Sequence, residues 1–448
     1  VSSSTPRDTQ KGAHTSRISG STARDAFRWV IVISLAYVMF RPVSHNSLLL
    51  PALGLVAAGS LGLVVTAHPF RLPARPIVVV FALVFLTGIY GSLLGIGNPG
   101  LANGVLVWIA APILFALLVW AADETLIRMI LLAAAIMTIA ISAIALSYVA
   151  LSVAGFREFP AWLVGQLGLS FDGHSFGITT ITLYGLSTLV ATCPLWLTAL
   201  ILPRHRLLPG KWMSGLAGVA AFLTSLVAGR AAITIVALIV PIAVWIVWRV
   251  YSWRRPRTRF VAFAPLVVAA LAALAILALS ALGNSAVARA WDRVASIITG
   301  SGQTIEDQIR AEESHELIAG WLSSPVLGHG FGAVIPGYSR NESRPWNFEL
   351  QYHLILFQVG IVGALVMLVA AVVGVLALIR SFRVTPELAP VLFVVTAGAS
   401  ALLIANASNP YLQAPGNMWA LFLLLALINV ALLGGRRTSA AQIVDDTD

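Results

Sequence analysis

The sequence predicts an all-α polytopic integral membrane protein, on three observations. Hydrophobic residues make up 58% of the 448-residue chain and charged residues only 10%, more apolar matter than a soluble chain of this length can bury. Apolar runs of roughly 16 to 28 residues recur between polar breaks, where about 20 suffice for a helix to cross a hydrocarbon core. Lys and Arg collect beyond alternate runs, the pattern of the positive-inside rule.

Residues 1–26 are rich in Ser, Thr and Arg and lack an apolar core, so they read as a disordered cytoplasmic tail rather than a cleaved signal. About twelve transmembrane helices follow, at 27–41, 47–67, 76–97, 101–121, 126–151, 175–202, 212–228, 230–248, 261–282, 350–379, 388–405 and 414–434. Spans 1–9 occupy 27–282, a long extracytoplasmic loop subdomain occupies 283–349 between helices 9 and 10, and spans 10–12 occupy 350–434. Residues 435–448 form a second cytoplasmic tail. With the N-terminus inside, only Arg41, Arg157, Arg230, Arg289, Arg293, Arg310, Arg340 and Arg344 face outward, leaving 20 of the 28 Lys and Arg in the cytoplasm. Both termini are therefore expected there. The net charge of +10 is accounted for by orientation and anionic headgroups, so no nucleic-acid partner is expected.

Two outward segments are longer than simple connections. In 152–174, Phe156, Phe159, Trp162 and Phe171 interleave with Arg157, Glu158, Asp172 and His174, which suits an interfacial helix whose plainest role is anchoring. In 283–349 a helix is expected from Thr304 as N-cap, with Glu306 and Asp307 in its first turn and Pro325 ending it. Its apolar Ile305, Ile309, Leu317, Trp321 and Leu322 fall partly on one side, which aims Arg310 and the acidic cluster away from that side. The stretch 328–346 is rich in Gly, Pro, Ser and Asn and reads as a mobile loop.

Ionisable residues near the bilayer are expensive and therefore informative. Arg230 stands at an outward turn where a helix begins, a place that favours anions; it reads as part of a phosphate site or as a side chain snorkelling to headgroups. Arg310 fits a second phosphate clamp or a solvated arginine, and Arg289, Arg293, Arg340 and Arg344 add a positive reserve. Glu349, at the entry to span ten, fits a general base or a helix cap, and His353 at i+4 would share its face. His329, flanked by glycines, could approach a substrate closely or simply be exposed. Glu312, His315 and Glu316 have ligand-like spacing but no second set, and read as a solvated face, so no metal is expected. The single cysteine, Cys193, rules out an internal disulfide and a thiolate metal site. There is no Walker loop, no dinucleotide fingerprint and no outward Asp-x-Asp, so neither ATP, a nucleotide-sugar donor nor any other cofactor is called for.

In chain order these pieces are Thr224-Ser-Leu-Val-Ala-Gly-Arg230-Ala-Ala, then Arg310 with Trp321, Pro325, Gly328, Gly330 and Gly332, then Glu349, Tyr352, Gly360 and Gly363. The chain thereby resembles the O-antigen polymerase and O-antigen ligase superfamily of bacterial envelope enzymes, over most of its length in topology and at motif level from about 224 to 379. The resemblance implies an integral-membrane (GT-C-like) architecture in the bacterial cytoplasmic (inner) membrane, with an extracytoplasmic active site. It implies metal-independent, inverting glycosyl transfer between undecaprenyl-pyrophosphate-linked oligosaccharides, for O-antigen, capsule or exopolysaccharide synthesis. Arg230 and Arg310 fall on the arginines that bind the pyrophosphate leaving group. Glu349 occupies the place of a catalytic histidine in ligases and often of a glutamate in polymerases, which favours a polymerase and leaves His353 as a second possible base. The alternatives are a ligase acting on lipid A core or another acceptor, and a transporter of lipid-linked sugar, which would carry mid-plane polar residues and often repeated halves. Implied partners are membrane lipids and a flippase and chain-length regulator of the same pathway. Trp108, Trp162 and Trp196 are candidates to line a groove for the polyprenyl tails.

Overall fold

The computed structural model describes residues 11–43, 47–67, 72–153, 159–172, 180–228, 231–253 and 305–445. The chain is a helical, polytopic membrane protein: among the described residues seven helices are long and apolar enough to cross a bilayer. In order, the helices are α1 (Lys11–Phe40), α2 (Leu49–Val65), α3 (Arg75–Leu94), α4 (Leu101–Val105), α5 (Ala111–Ala121), α6 (Glu124–Val153), α7 (Ala161–Leu167), α8 (Leu186–Ile201), α9 (Lys211–Val227) and α10 (Ala231–Trp253). Beyond residue 304 come α11 (Ile305–Ser323), α12 (Gln351–Val384), α13 (Ala389–Ala405) and α14 (Trp419–Asp445).

Helices cover eleven of the twelve expected spans, and the remaining one, 261–282, lies outside the described residues, as does Thr304. Three expectations change. Helix α1 begins at Lys11 and α14 runs to Asp445, inside both stretches read as tails, because no proline interrupts either helix. The helix in the sixth expected span starts at Leu186 rather than 175, because Ser170–Asp172 (β1) and Thr180–Thr182 (β2) pair as a short antiparallel hairpin. The fourth span is α4 and α5 joined through a π-helical turn at Leu106–Ala110. Pro112 cannot donate a backbone hydrogen bond, and the widened turn before it lets the Trp108 carbonyl rest against Gly88.

Helix α8 is central, with every residue from Thr188 to Ala199 buried. Two of its polar side chains bond within the bundle: Thr188 Oγ1 donates to the Met39 carbonyl at 2.5 Å, and Trp196 Nε1 donates to Thr138 Oγ1 at 3.0 Å. Glycines allow close helix approach, as where Gly398 of α13 faces the Ala191 carbonyl of α8. At the opposite extreme α12 turns an apolar face outward, with Leu365, Leu368, Val369, Val372 and Leu376 exposed, as expected of a side facing lipid.

The ends of the bundle differ. One gathers Arg41, α7, the start of α8, the α13–α14 loop and residues 305–350, joined by bonds such as Arg41 to Gln166 and Gln413 to Phe348. The other is tied by Arg28 to Asp123, Arg206 to Glu124, and the buried Asn429, which accepts from Ala74 N (2.8 Å) and donates to the Val119 carbonyl (3.0 Å).

A broken helix sets the position of residues 325–332. Gly360 leaves helical geometry within α12 at φ 59°, ψ −167°. The preceding loop supplies partners for the backbone groups around the break. Ile361 N and Val362 N donate to the carbonyls of Pro325 (3.0 Å) and Val326 (3.2 Å), while His329 N and Gly330 N donate to those of Phe357 (3.0 Å) and Gln358 (2.7 Å). Unpaired, these groups would cost several kcal/mol in an apolar setting.

Candidate functional site

Residues 305–357 form a small subdomain with its own apolar centre of Leu317, Ala333, Ile335, Phe348, Leu350, Leu354 and Phe357. Beside it lies an alternating chain of charge. Arg310 Nε meets Glu349 Oε2 at 3.2 Å, Arg340 Nη2 meets Glu349 Oε1 at 2.8 Å, and Arg340 Nη1 meets Glu313 Oε2 at 3.2 Å. The other Glu313 oxygen accepts the backbone N–H groups of Glu349 (2.6 Å) and Leu350 (2.7 Å), where α12 begins. Glu313 therefore caps α12 from a distance, and a carboxylate is the group a helix N-terminus favours. Its side chain has 0% exposure, whereas Arg310 and Glu349 are each 26% exposed and Arg340 is 21% exposed. Solvent or a ligand can thus reach the Glu349 end of the cluster but not Glu313. A carboxylate offers about four lone-pair positions, so Glu349 can accept from a hydroxyl while both arginines remain bound. Burial and the nearby Glu313 and Glu312 raise the Tyr338 phenol above its ordinary pKa, keeping it a neutral group beside the cluster.

Several expected placements change here. Arg310 lies on the packed side of α11, because Arg310, Glu313 and Leu317 recur at helical spacing and face α12. Glu312 and His315 are exposed, and Glu316 is only paired with His315 at 3.4 Å. Helix α12 starts at Gln351, so Glu349 precedes it and shares no helical face with His353. His353 Nε2 instead sits 3.3 Å from Ser314 Oγ of α11, and its Nδ1 is buried without a hydrogen-bond partner.

The loop expected to be mobile is docked. Phe331 N donates to the Gly91 carbonyl at 2.8 Å, and its ring stacks on Trp108 at 5.9 Å in a socket walled by Gly91 and Gly104. Asn98 Nδ2 donates to the carbonyls of His329 (2.9 Å) and Phe331 (3.1 Å). Gly330, at φ +82°, presses against the Leu94–Gly95 backbone, so this glycine serves the approach of the chain to itself. His329 Nε2 lies 2.9 Å from the Gly320 carbonyl and 3.0 Å from Ser323 Oγ, closing the end of α11, and its ring stacks on Phe357 at 4.8 Å. Arg344 forms no ion pair among the described residues. Trp196 is fully buried and Trp108 nearly so, which removes both from a lipid groove, whereas Trp162 of α7 is 70% exposed. Arg230, Arg289, Arg293, Arg157, Glu158 and His174 lie outside the described residues.

Glu313 is the member of the cluster that the sequence reading passed over. The available signal was an acid at the centre of the series Ile309, Glu313, Leu317, where the apolar spacing of α11 is interrupted by charge. Set against protein-family models and against curated proteins, the sequence finds no match.

Proposed function

We propose that this protein is a polysaccharide polymerase that joins undecaprenyl-pyrophosphate-linked repeat units on the outer face of the bacterial inner membrane, with about twelve spans in a GT-C-like arrangement and both termini in the cytoplasm. The observation that carries the reading is a partly exposed carboxylate, Glu349, gripped by Arg310 and Arg340 where a membrane-spanning helix begins. This is a base and cations within one cluster.

In the proposed reaction a hydroxyl of one lipid-linked repeat unit attacks the anomeric carbon of the growing chain. Its proton passes to Glu349, the new glycosidic C–O bond forms, and the bond to undecaprenyl pyrophosphate breaks with the electron pair leaving on the pyrophosphate. Guanidinium groups offer paired donors to phosphate oxygens, so Arg310 and Arg230 offset the charge that develops there. Attack opposite the leaving group inverts the anomeric configuration.

The test is reconstitution in liposomes with one defined lipid-linked repeat unit, EDTA and no nucleotide. A product ladder spaced by one repeat, lost in Glu349→Gln and in Arg230→Ala, is expected. Bond formation only after a lipid A core acceptor is added would make the protein a ligase. Passage of the lipid across the bilayer without bond formation would reject glycosyl transfer in favour of transport.

A further inference from the structure

An open cavity of about 650 Å³ lies between α7, the start of α8, the first turn of α10 and the α13–α14 loop. Its size is that of ordinary small-molecule sites, roughly 300–1,000 Å³. Its polar lining consists of Ser187, Asn409, Asn417, Tyr184 and Tyr411, and among the described residues none that lines it is Asp, Glu, Lys, Arg or His. Hydroxyl and amide groups among apolar walls suit a neutral ligand rich in hydroxyls that also has an apolar face. The polar wall is held in place: Ser187 Oγ donates to Asn417 Oδ1 at 2.9 Å, and Asn417 Nδ2 donates to the Tyr411 carbonyl at 3.0 Å. Arg41 lies over the Tyr184 ring at 5.2 Å and so fixes that aromatic face.

A hydrogen bond links the cavity wall to the segment that carries Glu349. Ala414 lines the cavity, and the neighbouring Gln413 donates through Nε2 to the Phe348 carbonyl at 3.0 Å, one residue from Glu349. We infer that this cavity is a saccharide subsite, holding neutral sugar residues of a lipid-linked substrate beside Glu349. The inference rests on the polymerase reading for the source of the sugar, but not for the binding itself.

Gly165 of α7 lines the cavity, and a Cβ there meets nothing within 4 Å, so Gly165→Trp can start a bulky ring at the cavity wall. The probe is the free oligosaccharide released from the lipid-linked repeat unit by mild acid, followed by saturation-transfer NMR on the full-length protein in detergent. Wild type should bind it, Gly165→Trp should abolish binding, and Asn409→Ala should weaken it about tenfold, the effect of one lost hydrogen bond of about 1.4 kcal/mol. Unchanged melting temperatures would show that the variants are folded. No binding to wild type, or equal binding to wild type and both variants, overturns the inference. So does displacement from the cavity by undecaprenyl phosphate, which would mark a lipid site. Binding in wild type lost in Gly165→Trp, without any ladder in liposomes, would uphold the subsite and reject the polymerase. A ladder equally strong in Gly165→Trp would do the reverse.

Discussion

Removal of the Glu313 side chain should free the start of α12. One of its oxygens accepts two backbone N–H groups, at 2.6 and 2.7 Å, and the other meets Arg340 at 3.2 Å, the Glu313 side chain itself having 0% exposure. Hydrogen bonds to a charged group contribute about 1.5–3 kcal/mol each, so the two backbone bonds alone amount to about 3 kcal/mol at the low end. Loss of the ion pair acts in the same direction but adds less, because Arg340 is 21% exposed and stays paired with Glu349. A local opening made easier by about 3 kcal/mol raises exchange roughly 150-fold. Hydrogen–deuterium exchange of peptides spanning 345–353 in detergent should show this in Glu313→Ala. A smaller rise is expected in Glu313→Gln, which keeps an acceptor for the N–H groups but loses the charge. Unchanged exchange in Glu313→Ala would refute the assignment of Glu313 as the remote cap of α12.

Gly330→Ala combines φ +82° with a collision against the Leu94–Gly95 backbone, whereas Gly337→Ala at φ +81° meets open space. The second should cost only the left-handed strain of about 1–2 kcal/mol, while the first should undock the loop, read as rapid proteolysis near 330. Gly360→Ala should behave like Gly330→Ala, since its Cβ would strike the Val326 carbonyl; equal stability of the 330, 337 and 360 variants would contradict the docked loop. Asn429→Ala orphans the Ala74 N–H and the Val119 carbonyl and should lower the melting temperature, at a cost of about 1–3 kcal/mol. Arg340→Lys cannot span Glu313 and Glu349 as a fork does, so under the polymerase reading turnover should fall about tenfold or more with the protein still folded. Full turnover would show that Arg340 does not orient the carboxylate.

The helical membrane character was legible in the sequence because it depends on local quantities: the length of an apolar run and the charges at its ends. Arg310 and Glu349 also stood out, as charged residues flanking apolar helices. What each touches was decided only in three dimensions. Glu313 reaches across 36 positions to the N–H of Glu349, and Asn429 across 355 to that of Ala74. The glycines at 328, 330 and 332 looked like permission for movement or for close approach to a ligand. In the fold they permit contact with α3, α4 and α12, and the loop they form occupies hydrogen bonds left open by the break at Gly360. A single glycine cannot announce which backbone it will meet, and one carboxylate in an apolar stripe cannot announce its partner. Helical period and hydropathy are properties of a few neighbouring residues, whereas a buried charge is stable only beside partners that the folded chain brings from elsewhere.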